Sequence, residues 1–239
     1  MNSSWKELHV ERFSKAADEE AIMGELSALS LALGFPYCSY SLTLPVPISK
    51  PTFSLHGNLP DGWPLRYKSQ QYQNVDPVIQ HGRISAIPVV WTDELFALAQ
   101  DYWADAKNHG LSVGWSKAIY EPYRSTGVLS FLRSSNELSE DELKEKGEHM
   151  EWIAYCVHKA MAPKLGPKLL PELQKALSVR EREVLFWAAE GKQDEQIGTI
   201  LGLAARTIRE HSDRAVVKMS ANTRTQAVVR AYALGLLFL

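Results

Sequence analysis

The sequence predicts an α+β chain: an N-terminal α/β/α sandwich on an antiparallel sheet, followed by a separate all-α domain of four short helices. Three features predict it. The first 160 or so residues read in the order helix, strands, helices, strands, helix. Residues 163–176 (PKLGPKLLPELQKA) gather three prolines and a glycine, a composition that reads as a linker. Beyond them, Gly191 and Gly202 cut the chain into short helical segments. The expected organisation is a domain over 1–162, a linker over 163–176 and a domain over 177–239, which suits a chain of 239 residues.

Residues 18–33 form an amphipathic helix, with Ile22, Leu26, Leu29 and Leu33 on one face and Gly34 as its stop. Two β-rich runs follow at 37–44 and 52–56, separated by a proline-rich turn. Residues 63–84 read as short helices, the second opened by Asp76 as cap and Pro77 at the first helical position. A helix over about 93–108 ends at Gly110, and strands follow near 115–121 and 127–133. Ser139 and Glu142 make a capping box for a helix running to about Met161. In the last domain, Ser178 and Glu181 form another capping box, and Gly191 ends the helix they open. Asp194 is placed to cap a second helix that stops at Gly202. A third runs from about Ala205 to Met219, with Ile208, Ala215, Val216 and Met219 inward. Thr223 and Gln226 cap a fourth that ends near Gly235.

Composition narrows the class. Hydrophobic residues make up 45% and charged residues 23%, as in a soluble globular protein. The net charge of −2 divides unevenly: residues 1–175 carry 17 Lys/Arg against 21 Asp/Glu, and residues 176–239 carry 9 against 7. The C-terminal part is thus the half suited to phosphate. Cys38 and Cys156 sit far apart among apolar residues and read as buried, reduced thiols in a cytoplasmic protein, with no zinc-ligand spacing. No signal peptide is visible, and no apolar run reaches the ~20 residues of a membrane span. His56, His81, His109, His149 and His158 are scattered, and neither a G-x-S-x-G elbow nor a glycine-rich phosphate loop occurs, so neither an enzyme, a metal site nor a cofactor is expected.

Two short helices joined at a glycine, with cations on the outer face of the second, suit a major-groove reader, although a plain four-helix bundle has the same pattern. The cations are Arg206, Arg209, Arg214 and Lys218, with Glu210 and Asp213 diluting them. The segment LSVREREVLFWAAEGKQDEQIGTILGLAARTIREHSDRAVVKMSANTRTQAVVRAYALGLL resembles the helix-turn-helix DNA-binding domain of LuxR-type regulators. Glu181, Leu185 and Gly191 fall at its signature spacing, Thr207, Ile208 and His211 match T-V-x-x-H, and Lys218-Met219 matches K-L. The resemblance implies that Arg206, Thr207, Arg209, Arg214 and Lys218 meet double-stranded DNA. It departs from the family in two places. Ala204 or Ala205 replaces the Ser/Thr that usually opens the recognition helix, losing a cap of ~1 kcal/mol, and Glu210 stands where a neutral or aromatic residue is usual.

The N-terminal domain lacks the alternating βα pattern of a receiver. It carries instead W-x-x-x-Y (Trp63, Tyr67), Asp76-Pro77, Trp91 and G-x-S (Gly114, Ser116). This ordered set resembles the autoinducer-binding domain of quorum-sensing LuxR-type regulators, whose ligands are N-acyl-homoserine lactones. Taken singly, the tryptophans fit an ordinary core, Asp76 a helix cap and Tyr67 the surface. By resemblance, Trp63 donates to the lactone carbonyl, Tyr67 with Ser130 to the acyl carbonyl, Asp76 accepts the amide N–H, and Trp91 and Trp103 pack on the lactone ring. Tyr40 is expected among the tail-lining residues, with Leu42, Phe53, Leu65, Val78, Ile79 and Leu129. Leu59 stands where the family often has Tyr. A ligand with one amide donor and two carbonyl acceptors requires this mix of an acceptor-only carboxylate and an indole donor. The expected function is a ligand-responsive transcription regulator that binds DNA as a homodimer. The alternative is a relative that answers to another small molecule or to none.

Overall fold

The computed structural model describes residues 4–237, so the first three and last two residues of the expected domains lie outside the described residues. The first unit comprises the chain to Thr43, then Phe53–Glu121 and Thr126–Leu165. Its first helix, α1 (Ser4–Lys15), is not foreseen by the sequence reading, and Phe13 is its fully buried apolar anchor. Asp18 caps α2 (Glu19–Ala32) by accepting from the Ala21 amide at 2.9 Å, and Gly34 ends it at φ +89°, a conformation that L side chains rarely adopt. Strands β1 (Tyr37–Leu44) and β2 (Thr52–Gly57) follow, then α3 (Trp63–Ser69), a 3-10 turn at Tyr72–Asn74 and α4 (Pro77–Gly82). A two-residue strand β3 (Val89–Val90) precedes α5, which covers only Gln100–Asn108. Residues 93–99 form turns that bury Phe96 instead of starting the helix early. The unit closes with β4 (Val113–Tyr120), β5 (Thr126–Arg133) and the part to Leu165 of the long α6 (Glu140–Leu169).

The strands form one sheet in the order β2-β1-β5-β4-β3. β5 pairs antiparallel with both β1 and β4, so Ser39, Ser130 and Ser116 lie side by side across three strands. Because side chains alternate along a strand, one face carries Ser39, Ser41, Val128, Ser130 and Leu132 and the other Cys38, Tyr40, Leu42, Leu129 and Phe131. The first face is covered by α4, whose Gly82 lies against Val128 and Ala118. The second is covered by α6, where His158 Nδ1 meets the Tyr40 hydroxyl at 2.8 Å. The expected sandwich with an antiparallel sheet is what the chain builds.

The 163–176 segment, read from its prolines as a linker, carries regular structure. α6 runs on through Pro163 and Pro167 to Leu169, and a 3-10 turn occupies Pro171–Gln174. Proline breaks a helix by removing an N–H and crowding the carbonyl four residues back. Here Pro163 and Lys159 are both exposed, while Met161, Ala162 and Leu165 are buried.

The second unit contains Leu44–Thr52, Pro122–Ser125 and the chain from Gly166 on. Its helices are α7 (Val179–Ala189), α8 (Asp194–Leu201), α9 (Ala205–Lys218) and α10 (Arg224–Ala233). The Ser178–Glu181 capping box and the Thr223 cap form as expected. The cap of α8 is Gln193 rather than Asp194: Gln193 and Gln196 make the box, and Asp194 is the first helical residue. Leu185, Ala215, Met219, Ala227 and Ala231 make one core cluster and Val184, Ile197 and Ile208 another. Gly202 makes the turn between α8 and α9, and Gly198, inside α8, lets that turn pack close. A Cβ at Gly198 would come within 2.5 Å of the Leu203 carbonyl, and Gly202 sits at φ +68°.

Candidate functional site

α3 presents Trp63 and Tyr67 one turn apart toward the sheet, and both are buried. With Asp76, Val78, Ile79, Trp91, Tyr102, Val128, Ser130 and Leu132 they enclose a cavity that Ser39, Ser41, Leu55 and Leu59 complete. Its volume is about 30 Å³, room for little more than a water molecule or two. Leu59, the position that departs from the family, is therefore part of this wall.

Asp76 serves as both cap and cavity group. One carboxylate oxygen accepts from the Val78 amide at 2.9 Å and the other from the Tyr67 hydroxyl at 2.9 Å. Burial pushes its pKa up to about 6, against the pull of Tyr67, Val78 and Tyr102. Burial and the neighbouring Asp76 charge together hold the Tyr67 and Tyr102 hydroxyls protonated. The Tyr67 hydroxyl thus donates to Asp76 here, beside the position where the resemblance implies an acyl carbonyl. The Trp63 indole N–H has no hydrogen-bond partner among the described residues.

The G-x-S motif has a local physical reason. The Trp91 ring lies on Gly114, where a Cβ would come within 2.6 Å, and its indole donates to Ser116 Oγ at 2.8 Å. Ser116 in turn bonds Ser130 at 2.7 Å, which fixes the Ser130 hydroxyl at the cavity wall. Trp103 stands behind Trp91 instead of lining the cavity: it stacks on Phe96 at 4.3 Å and donates to Asp93 at 2.5 Å.

Tyr40 does not join the site. It points through the opposite face of the sheet to His158, and burial holds its hydroxyl protonated. His158, fully buried with its pKa lowered to about 4 chiefly by burial, accepts from Tyr40 at Nδ1 and donates from Nε2 to the Glu121 carbonyl. Leu42 and Leu129 share Tyr40's face, and Leu65 is 76% exposed, so these do not reach the cavity either. Val78 and Ile79 do line it, and Phe53 stacks beside Tyr67 at 6.0 Å. The sequence reading missed Ser39, Ser41, Leu55, Tyr102, Val128 and Leu132. Strict alternation around the buried Tyr40 could have found the two serines.

On α9, Arg206, Arg209, Glu210, Asp213 and Arg214 form the exposed face, and Thr207 is half-buried beside them. Arg206 is 91% exposed and pairs one turn on with Glu210 at 3.4 Å. Arg209 approaches Asp194 at 3.4 Å, and Arg224 also holds Asp194, at 2.5 Å. Arg214 meets His211 at 2.8 Å and lies 3.9 Å from Glu181. Lys218 is drawn back onto α7: its ammonium donates to Glu181 at 2.7 Å and to the Ala176 carbonyl at 3.0 Å, with Glu181 almost fully buried. It lies apart from the outward cations. Ala204 caps α9 with no side-chain bond, as its sequence requires.

Among the described residues no group of three or more His, Cys, Asp or Glu is arranged to hold a metal ion, and no helix is long and apolar enough to cross a membrane.

The chain is similar to known proteins over nearly its whole length. Residues 18–161 match the autoinducer binding domain, and residues 175–231 match the domain of bacterial regulatory proteins of the luxR family. Over 225 residues the chain is 34% identical to the transcriptional activator protein SolR of Ralstonia nicotianae, covering 94% of this chain and 95% of SolR. It is 33% identical to the HTH-type quorum-sensing regulator RhlR of Pseudomonas aeruginosa, covering 92% and 91%. The crystal structure of Escherichia coli SdiA superposes with a TM-score of 0.87 at 30% identity over 99% of both chains. SdiA in complex with octanoyl-rac-glycerol gives 0.86 at 29% identity, over 99% of this chain and 97% of that one.

Proposed function

The chain belongs to the LuxR family of bacterial regulatory proteins, a ligand-responsive DNA-binding transcription regulator of quorum sensing, and we propose that its ligand is an N-acyl-homoserine lactone taken into the cavity beneath α3 and α4. The observation that carries this reading is the buried Asp76 carboxylate beside the unpartnered Trp63 indole. An ionised carboxylate only accepts and an indole only donates, which suits the amide N–H and a carbonyl of the lactone. Ser130 lies at the wall where a second carbonyl needs a partner, and Trp91 backs the ring.

A space of about 30 Å³ is too small for an acyl chain, so binding displaces wall side chains, and the half-buried Leu55 and Leu59 are the least constrained of them. Ligand burial then stabilises only the folded domain, by ~2.7 kcal/mol at a ligand concentration 100 times Kd. We place the working boundary between ligand and DNA domains within residues 163–176. The protein acts in the cytoplasm as a homodimer that sets two α9 helices one helical turn apart on a near-palindromic site, with Arg206, Thr207, Arg209 and Arg214 toward DNA. No catalysis is part of this reading.

SdiA's complex with octanoyl-rac-glycerol favours one second reading, in which an acyl ester of another polar head occupies the same cavity. Mass spectrometry of ligand extracted from protein purified out of cells supplied with mixed acyl-homoserine lactones tests both. Recovery of a lactone supports the first, and recovery of an acylglycerol with no lactone supports the second.

A further inference from the structure

Leu55 and Leu59 each belong to two surfaces. On one side they complete the cavity with Trp63, Tyr67 and Asp76. On the other they floor an open groove of about 500 Å³, edged by Glu20 and Met23 of α2, His56 of β2 and Pro64 of α3. The partition between cavity and groove is therefore a pair of leucine side chains. Both are half-buried and held against the cavity's aromatic cluster by apolar contact. Neither side chain can hydrogen-bond, so moving one aside gives up only dispersion contacts, each of them weak. The backbone beside them is anchored while the side chains are not. Asn58, between β2 and Leu59, accepts from the Cys38 amide at 2.7 Å and donates to the Pro36 carbonyl at 2.8 Å. β2 itself is an edge strand, with a sheet neighbour on one side only.

A second groove, of about 460 Å³, meets the cavity at Tyr102. That wall is closed by different chemistry. Tyr102 is 2% exposed, its ring packs on Trp63, Tyr67, Tyr72 and Phe96, and its hydroxyl hydrogen-bonds Asp76. Tyr72, in the same groove, donates to Asp105, which also holds Arg66 at 2.6 Å. Opening there breaks hydrogen bonds and an ion pair, and opening at the leucines breaks none. We infer that the ligand enters and leaves between Leu55 and Leu59, by way of the groove beside Met23. A ligand taken into this closed cavity must part a wall on the way in and again on the way out, so the wall that yields most readily sets both rates. This inference rests on the lactone reading above and adds the route by which the lactone reaches its site.

The test is rapid filtration with tritiated octanoyl-homoserine lactone on the full chain, with an unlabelled chase to follow release. Met23 lines the groove and not the cavity, so Met23→Trp fills the approach without altering the bound site. It is expected to slow association and release by about tenfold each and to leave Kd within about twofold of the wild type. Leu59→Ala thins the partition and is expected to speed association. Ala104→Trp fills the second groove instead and is expected to leave both rates as they are. A residue that only shapes the bound state would change Kd rather than both rates together. Unliganded melting temperatures confirm folding, and Leu59→Ala carries the comparison if Met23→Trp does not fold. Association unchanged in Met23→Trp and Leu59→Ala, or slowed by Ala104→Trp, overturns the inference alone. A wild type that binds no lactone overturns the lactone reading and this inference with it.

Discussion

Asp76→Asn separates a carboxylate that caps a helix from one that binds a ligand, and pH tells them apart. Burial raises the Asp76 pKa from 3.8 to about 6. Between those values the native state keeps a proton that the unfolded chain has released, so this group's contribution to stability falls as pH rises from 4 to 6 and is flat above. A rise of that size corresponds to ~3 kcal/mol. His158 works in the opposite direction. Its pKa is lowered to about 4, so its contribution rises over the same window, and the wild-type profile alone hides both effects. The informative quantity is the difference between wild type and Asp76→Asn in urea unfolding at each pH. Asn keeps an oxygen for the Val78 amide and carries no charge, so wild type is expected to lose ~2–3 kcal/mol relative to the variant between pH 4 and 7. A lactone bound as proposed adds a donor to the ionised form. Wild-type affinity is therefore expected to fall as pH drops below 6, while the variant binds at least about tenfold more weakly at pH 7 and without that pH dependence. A stability difference that stays constant from pH 4 to 7, or an affinity at pH 7 unchanged by Asn, would refute the reasoning.

Three further outcomes are expected from the geometry. Arg206→Ala and Arg209→Ala should each weaken operator binding and lower the slope of log affinity against log salt by ~0.9 for each phosphate left without its cation, read by fluorescence anisotropy; full binding by the double variant removes α9 from the groove. Gly127→Ala should destabilise the first unit by ~1–3 kcal/mol, because its methyl would overlap His158 and the Tyr40 hydroxyl, and an unchanged melting temperature contradicts this. Glu181→Gln keeps an acceptor for Ser178 but strips Lys218 of its counter-charge, so the second unit should lose ~1–3 kcal/mol, with calorimetry of the full chain as the measurement.

What the sequence discloses is mostly what local chemistry decides. Asp18, Ser178 and Thr223 cap helices because a short polar side chain before an apolar run has few other uses, and the same logic finds Asp76. Trp63 and Tyr67 meet because a helix returns every 3.6 residues. The misses are tertiary. Tyr40 and Ser39 look equally eligible for a ligand until α6 covers one side of the sheet and α4 the other. Trp103 has the residue type expected of a ring-packing group, yet Phe96 stands on its face and Asp93 takes its indole. α1 escapes because a single buried phenylalanine gives no readable period, and the helix through Pro163 persists because burial around it outweighs propensity.

The cations on α9 are already engaged by carboxylates of the same domain: Arg206 by Glu210, Arg209 by Asp194. Meeting DNA is therefore an exchange reaction. On the proposed α9 face a phosphate or guanine edge would take Arg206 from Glu210 and leave Glu210 as a like charge before the duplex, whereas Asp194 keeps Arg224 as a partner. Such a helix gains little from an arbitrary stretch of DNA, where the trade is one anion for another. It gains from a site where base-edge hydrogen bonds are added to the trade. In the proposed interface the carboxylates that dilute the positive face would thus work as a filter, lowering affinity everywhere and lowering it least at the operator.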